Sequence, residues 1–179
     1  MHFNSLKLAL MLLGLSLAGL SSADEMMGVG VRGGFSNDAV HYEDFRQYEL
    51  FINYPLPWSW RWSGGWKLDT RLEGTIGVLN GAGETGFIGS LGPTLVLGAE
   101  GSRIFADLGI SPTVLSRSSF GRADFGGDFQ FTSHIGLYFQ ISQELELGYR
   151  FQHMSNAHLE TPNPGLNMHM LELSYRFPF

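Results

Sequence analysis

Apolar residues recur at every second position through most of this 179-residue chain, and this pattern constrains its fold more than any other feature. Successive side chains of a β-strand point to opposite faces, so the pattern predicts strands with one apolar face. Most of the segments are close to the ~10 residues with which a tilted strand crosses a bilayer. The eight predicted strands cover residues 27–35, 48–56, 66–78, 87–97, 104–114, 129–139, 145–155 and 171–179.

The second face of these segments carries ionisable residues separated by glycines. A soluble sandwich buries its apolar face, whereas a small membrane barrel turns that face to lipid and fills its interior with paired polar side chains. We therefore predict an all-β fold, an eight-stranded antiparallel transmembrane β-barrel of the bacterial outer membrane. A secreted β-sandwich or a lipocalin-like barrel is the alternative. The predicted interior residues are Lys67, Asp69, Arg71, Glu73, Asp107, Glu144, Glu146, Arg150, Glu172 and Arg176.

The composition also favours a membrane barrel over a soluble enzyme. Charged residues make up 16% of the chain, below the roughly 25% of soluble domains, whereas 13% are aromatic and 24 are glycine. The formal net charge of −6 argues against nucleic acid as a partner. Because the chain has no cysteine, a disulfide scaffold, a thiolate zinc site and a cysteine nucleophile are excluded.

The N-terminal segment has the pattern of a secretory signal peptide. Lys7 precedes an apolar stretch over residues 8–20, and Ser21 and Ala23 are the small residues expected before a cleavage site. The apolar stretch is shorter than the ~20 residues of a spanning helix, so an N-terminal membrane anchor is the less favoured alternative. We expect residues 1–23 to be a signal peptide and residues 24–179 to form the barrel.

With eight strands, both ends of the barrel lie on the periplasmic side, and the connections alternate between the two membrane surfaces. The inner connections are predicted at residues 55–65, 98–102 and 141–143. The first of these is unexpectedly long, since outer loops are usually the longer ones, and it contains three tryptophans. The outer connections are predicted at residues 36–46, 79–86, 116–127 and 157–166.

Four polar residues occupy the lipid-facing register near the outer ends of the last two strands. His153 and Ser155 continue the outward-facing positions of the seventh segment, and Asn167 and His169 do so when the eighth is extended backwards. The hairpin between these segments is expected to bring the four residues together. Polar side chains facing lipid are costly, so their presence indicates a function.

A serine, a histidine and a third polar group in one cluster are the elements of an acyl-transfer site. The serine hydroxyl needs a neighbouring base, and that base needs an orienting partner. Positions i and i+2 of a strand lie on one face about 6.6 Å apart, so the side chains of His153 and Ser155 can converge. Asn156 and backbone amides at the strand end are candidate donors to an oxyanion. Alternatively, His153 and Ser155 are simply polar residues of the membrane interface.

Two motifs before a final aromatic strand carry a family resemblance: His153-Met154-Ser155-Asn156-Ala157 and Pro162-Asn163-Pro164-Gly165. They resemble the lipid A 3-O-deacylase family. The resemblance implies hydrolysis of the ester that links a 3-hydroxyacyl chain to the 3-position of lipid A, the lipid part of lipopolysaccharide, in the outer leaflet. It implies that Ser155 is the nucleophile and His153 the general base. It further implies that Asn156 stabilises the oxyanion, that Asn163 shapes the loop, and that neither a metal nor a cofactor is needed.

The chain departs from the family at the third member of the triad. The family pattern can place a glutamate where this chain has Asn167. An asparagine still accepts a hydrogen bond from the imidazole, but it does not offset the charge of an imidazolium, so a slower enzyme is one alternative. Glu160, in the preceding loop, is the alternative acid. An inactive family member is a further alternative.

Other functions are compatible with the same pattern. A phospholipase or another lipid esterase would use the same residues, and a non-enzymatic small barrel would serve adhesion or membrane stability. A conducting pore is disfavoured because eight strands leave an interior only wide enough for side chains. Among the remaining histidines, His134 is expected inside the barrel, and His41 and His158 are expected in loops.

Overall fold

In the computed structural model, which describes residues 26–36 and 43–178, the chain forms a closed antiparallel barrel. The first strand pairs with the eighth, so the predicted barrel is confirmed. In these residues no helix is long and apolar enough to cross a membrane. The predicted signal peptide, His41 and Phe179 lie outside the described residues. The strands are β1 (Met26–Ser36), β2 (Phe45–Arg61), β3 (Trp66–Gly81), β4 (Glu84–Ala99), β5 (Ile104–Leu115), β6 (Phe129–Gln140), β7 (Leu145–Ser155) and β8 (Leu166–Pro178), with a short hairpin, Ser119–Phe120 and Ala123–Asp124, between β5 and β6.

The outer connection predicted at residues 79–86 is wrong, because the strands on either side run further than expected. β3 continues to Gly81 and β4 begins at Glu84, which leaves a two-residue turn of Ala82 and Gly83. Both turn residues have positive φ angles, 51° and 75°. Such a backbone matches the twist of a hairpin, but its usual sequence signal is Asn-Gly or Gly-Gly rather than Ala-Gly.

The inner connection predicted at residues 55–65 is also wrong, because most of it belongs to a long hairpin. β2 continues to Arg61, and a bulge between Leu56 and Ser59 shifts its register against β3. Pro57 lies at this bulge, a position at which proline is tolerated in a strand. The tryptophans of this hairpin are each about half exposed: Trp58, Trp60, Trp62 and Trp66.

The exterior of the barrel is covered by exposed apolar side chains. Ile76 and Phe87, for example, are 67% and 71% exposed. Soluble monomers rarely expose a continuous apolar surface of this kind, whereas a barrel in a membrane presents it to lipid.

The interior holds a network of buried charges, as predicted. Arg150 donates to both carboxylate oxygens of Glu73, at 2.7 and 2.9 Å, and to Asp107 at 3.3 Å. Arg32 donates to Glu73 at 2.9 Å and to Glu172 at 3.2 Å. Because a buried charge without a partner is strongly unfavourable, this pairing is what allows the barrel to be filled with ionised groups.

The outer end of the interior is apolar, a feature that the alternation of apolar residues does not predict. Phe120 and Phe125 fold inward from the connection between β5 and β6, and their rings pack on Phe45 with centroids 5.6 and 5.5 Å away. Met154 of β7 and Met168 of β8 belong to the same cluster and are almost fully buried. This packing determines which residues of the last two strands face inward.

The charge network leads to a prediction about stability. Replacing Glu73 by alanine leaves the guanidinium groups of Arg150 and Arg32 without their shared carboxylate, which costs about 3–5 kcal/mol. The matched control is Glu100→Ala, since Glu100 pairs with Arg61 and both side chains are more than half exposed. That change costs about 0–1 kcal/mol. Urea unfolding in lipid vesicles, followed by tryptophan fluorescence, measures both. Equal transitions in the two variants would contradict a stabilising role for the network.

Candidate active site

The outward-facing polar residues of β7 and β8 form one cluster on the barrel exterior, as predicted. Strand alternation turns Met154 and Met168 into the apolar interior, so the residues on either side of each methionine face outward. His153 and Asn167 are direct cross-strand partners. The four members of the cluster are all partly exposed: His153, Ser155, Asn167 and His169.

A hydrogen bond joins His153 to Asn167 across the two strands. The distance between Nδ1 of His153 and Oδ1 of Asn167 is 2.8 Å. Because an amide oxygen only accepts, Nδ1 carries the proton, and the lone pair of the neutral ring is on Nε2. Ser155 lies two residues further along β7, on the same face and about 6.6 Å away along the strand. Within the described residues, the Ser155 hydroxyl makes no side-chain hydrogen bond.

Gly165 gives the imidazole of His153 its space. A Cβ at this glycine would lie only 2.8 Å from Cε1 of His153, and the φ angle of the glycine is +71°. Any other residue would therefore strain the backbone and displace the ring. The motif at residues 162–165 contains Gly165 but does not indicate this role. The signal that could have revealed it is the position of the glycine, directly before the strand that carries the partner of the histidine.

The side chain of Asn156 holds two outer loops together. Its Nδ2 lies 3.0 Å from the carbonyl oxygen of Phe125 and 3.1 Å from those of Glu160 and Pro162. Its Oδ1 accepts a hydrogen bond of 2.9 Å from the backbone of His158. Asn156 is 1% exposed, and with these contacts its amide is not available to an oxyanion in this structure.

Asn163 supports the same loop from the other side. Its Oδ1 accepts a hydrogen bond of 3.0 Å from the backbone nitrogen of Asn156. The two loops approach so closely that a Cβ at Gly126 would lie 2.0 Å from the carbonyl oxygen of Pro162. The segment that directly follows Ser155 is thereby fixed by contacts on both sides.

The structure brings Asn167, and not Glu160, to the imidazole. Glu160 is exposed, and its carboxylate lies beside Gly127 in the connection between β5 and β6. Across residues 26–36 and 43–178, no hydrogen bond or ion pair links Glu160 to His153.

The described chain contains three other histidines, and of these only His169 belongs to the exterior cluster. Nδ1 of His169 is hydrogen-bonded to the hydroxyl of Tyr149 on the lipid-facing surface. His134 is buried inside the barrel, as predicted, with Nε2 3.7 Å from a carboxylate oxygen of Asp107. His158 is exposed in the outer loop, as predicted.

A concave region of about 870 Å³ lies on the lipid-facing side of β1 to β5, and none of the four cluster residues lines it. The cluster is therefore separate from this concave region.

Comparison with known proteins extends the sequence evidence over most of the chain. Residues 46–176 match the profile of a family described as lipid A 3-O-deacylase (PagL). Lipid A deacylase PagL of Bordetella bronchiseptica is 34% identical over 152 residues, which cover 78% of this chain and 82% of that protein. Lipid A deacylase PagL of Pseudomonas aeruginosa is 29% identical over 139 residues, which cover 71% of this chain and 78% of that protein.

The barrel is also similar to a solved structure. The crystal structure of the outer membrane enzyme PagL superimposes with a TM-score of 0.70 at 23% identity, covering 85% of this chain and 99% of that chain. This similarity concerns the fold, whereas the matches above concern the sequence. From those matches, the chain belongs to the lipid A 3-O-deacylase (PagL) family.

Proposed function

We propose that this chain is an outer-membrane lipid A 3-O-deacylase, exported with residues 1–23 as its signal peptide. The observation that carries the proposal is the 2.8 Å hydrogen bond between His153 and Asn167, next to Ser155 on the lipid-facing surface. A serine, a base and its orienting partner are the set that ester hydrolysis requires. Their lipid-facing position suits a substrate that is itself a membrane lipid, and membership of the family supports lipid A as that substrate.

The reaction proceeds in two steps. The hydroxyl of Ser155 attacks the ester carbonyl while Nε2 of His153 takes its proton, and the tetrahedral intermediate expels the 3-oxygen of the sugar, which receives that proton. The acyl chain is then bonded to Ser155. Water attacks this acyl-enzyme with His153 again as base, and the fatty acid leaves as Ser155 regains its proton. Asn167 keeps the imidazole in the required tautomer and orientation throughout.

The oxyanion needs donors close to Ser155. We assign the backbone amide of Ala157 to this role, since it follows Ser155 by two residues and has no hydrogen bond within the described chain. Asn156 and Asn163 then act indirectly, by holding the loop that presents this amide. This assignment replaces direct stabilisation of the oxyanion by the Asn156 side chain.

The site lies at the outer ends of β7 and β8, where the strands meet the outer connection at residues 156–165. In a barrel with both ends on the periplasmic side, these ends reach the outer leaflet. We therefore propose that the active site faces the outer leaflet, where lipopolysaccharide is the main lipid of such membranes.

The nucleophile is tested by Ser155→Ala. The variant loses at least about a thousandfold in deacylation rate because the acyl-enzyme no longer forms. The barrel remains folded, since the Ser155 side chain makes no hydrogen bond in the described chain. Mass spectrometry of lipid A from cells that express each form measures the loss of one hydroxyacyl chain.

The matched control is Ser119→Ala, which removes an exposed hydroxyl from the short outer hairpin and leaves deacylation unchanged. Intact lipid A with the unmodified, folded protein would contradict the proposed substrate. Release of a phospholipid acyl chain in the same extracts would instead identify a phospholipase. Deacylation that persists in the Ser155 variant would contradict the nucleophile.

The orienting residue is tested by Asn167→Glu. A carboxylate hydrogen-bonds the imidazolium roughly twice as strongly as a neutral group. We therefore expect the rate to rise about tenfold, which corresponds to about 1.4 kcal/mol in the barrier. Asn167→Leu lowers it by a similar factor, because the imidazole loses its partner.

The control for this series is Glu160→Gln, which leaves the rate unchanged because Glu160 lies beside Gly127. Initial rates of release of the acyl chain by the purified protein in detergent micelles measure all three variants. A large loss in Glu160→Gln, together with no response to Asn167→Glu, would make Glu160 the acid of the triad.

A further inference from the structure

A fifth polar residue, Ser133, occupies the lipid-facing register beside the candidate active site. It lies on β6 between Phe131 and Ile135, and Ile135 is 59% exposed on the same face. On the opposite face, Gln130 and His134 are buried in the barrel interior. Ser133 is a single polar residue in an otherwise apolar register, and it has no role in the proposed reaction.

The strand register places Ser133 next to both groups that carry the reaction. It is the direct cross-strand partner of His153, and its neighbour Phe131 is the partner of Ser155. Directly opposed Cβ atoms in an antiparallel pair lie about 4.5–5.5 Å apart and diagonal neighbours about 7–8 Å apart. Ser133 is therefore the diagonal neighbour of Ser155, on the side that lies deeper in the membrane.

The hydroxyl of Ser133 has no hydrogen-bond partner in residues 26–36 and 43–178. Leaving a hydroxyl unpaired against lipid costs free energy, and an apolar side chain would avoid that cost. Its neighbours on the same face of the strand, Phe131 and Ile135, are apolar. A polar group at this one position is accounted for by a polar group of a ligand.

The direction of the bound acyl chain indicates which group that is. Ser155 ends β7 at the outer surface, so a chain whose ester carbonyl lies at Ser155 extends from there toward the membrane interior. On the β6 side of Ser155, the residues that lie in this direction are Phe131 and then Ser133. In a 3-hydroxyacyl chain the hydroxyl is two carbons beyond the carbonyl, which is the part of the chain that reaches Ser133.

We infer that Ser133 binds the 3-hydroxyl group of the acyl chain that is removed, and so makes the enzyme selective for hydroxylated chains. This inference rests on the proposed function. A hydrogen bond to a substrate hydroxyl discriminates against the analogue that lacks it, because the residue then remains unpaired. Phe129 and Phe131 pack edge to face with ring centroids 5.2 Å apart, and they form an apolar surface beside Ser133 for the acyl chain.

The experiment compares two substrates in lipid vesicles that contain the full, folded protein. One lipid A carries a 3-hydroxyacyl chain at the 3-position, and the other carries the same chain without its hydroxyl. We expect Ser133→Ala to lower kcat/KM for the hydroxylated substrate by about fivefold to tenfold, the effect of one hydrogen bond. The rate on the unhydroxylated substrate stays the same, so the preference of the unmodified enzyme disappears. Ser133→Thr keeps a hydroxyl and retains the preference.

Three outcomes would overturn the inference. An equal loss on both substrates means that Ser133 acts on His153 and does not bind the substrate hydroxyl. Unchanged rates on both mean that it does neither. If the unmodified enzyme releases neither chain, the proposed function fails and the inference with it, which separates that failure from the first two.

Discussion

The pairing of β1 with β8 is the interaction on which the rest of the structure depends. A bilayer offers no water to unpaired backbone groups, so a sheet that crosses it must have no free edge. Residues 26–36 pair with residues 168–178 and remove that edge. The closing strand β8 also pairs with β7 on its other side, and the register of that hairpin makes Asn167 the cross-strand partner of His153. The candidate site is thus built on the strand that closes the barrel.

The barrel interior and the lipid-facing exterior hold different kinds of side chain. The interior accepts ionised groups because Arg150 and Arg32 share Glu73 as a partner, and it accepts apolar groups at the outer end because Phe120 and Phe125 fill the space there. Because Met154 and Met168 are buried in that apolar cluster, strand alternation turns the residues beside them toward lipid. The proposed active site therefore lies on the lipid-facing surface of β7 and β8, where most other side chains of the barrel contact only lipid chains.

The sequence predicts the strands and the exterior cluster because both depend on period-two alternation, which is a local property. It does not predict features that depend on distant contacts. The amide of Asn156 appears free in the sequence, but it bonds to the carbonyl oxygen of Phe125, 31 residues away in the chain. The Ala82–Gly83 turn was missed because its positive φ angles come without the usual turn residues. Ser133 was missed because a single serine does not interrupt an apolar register.

Covalent labelling of the folded protein with a long-chain fluorophosphonate, followed by peptide mapping, tests most directly whether His153 activates Ser155. Such a reagent bonds to a serine hydroxyl that a neighbouring base activates. We expect a single label on Ser155, which disappears in His153→Ala. A label on Ser133, the direct cross-strand partner of His153, would contradict this expectation, and so would a label on Ser155 that persists without His153.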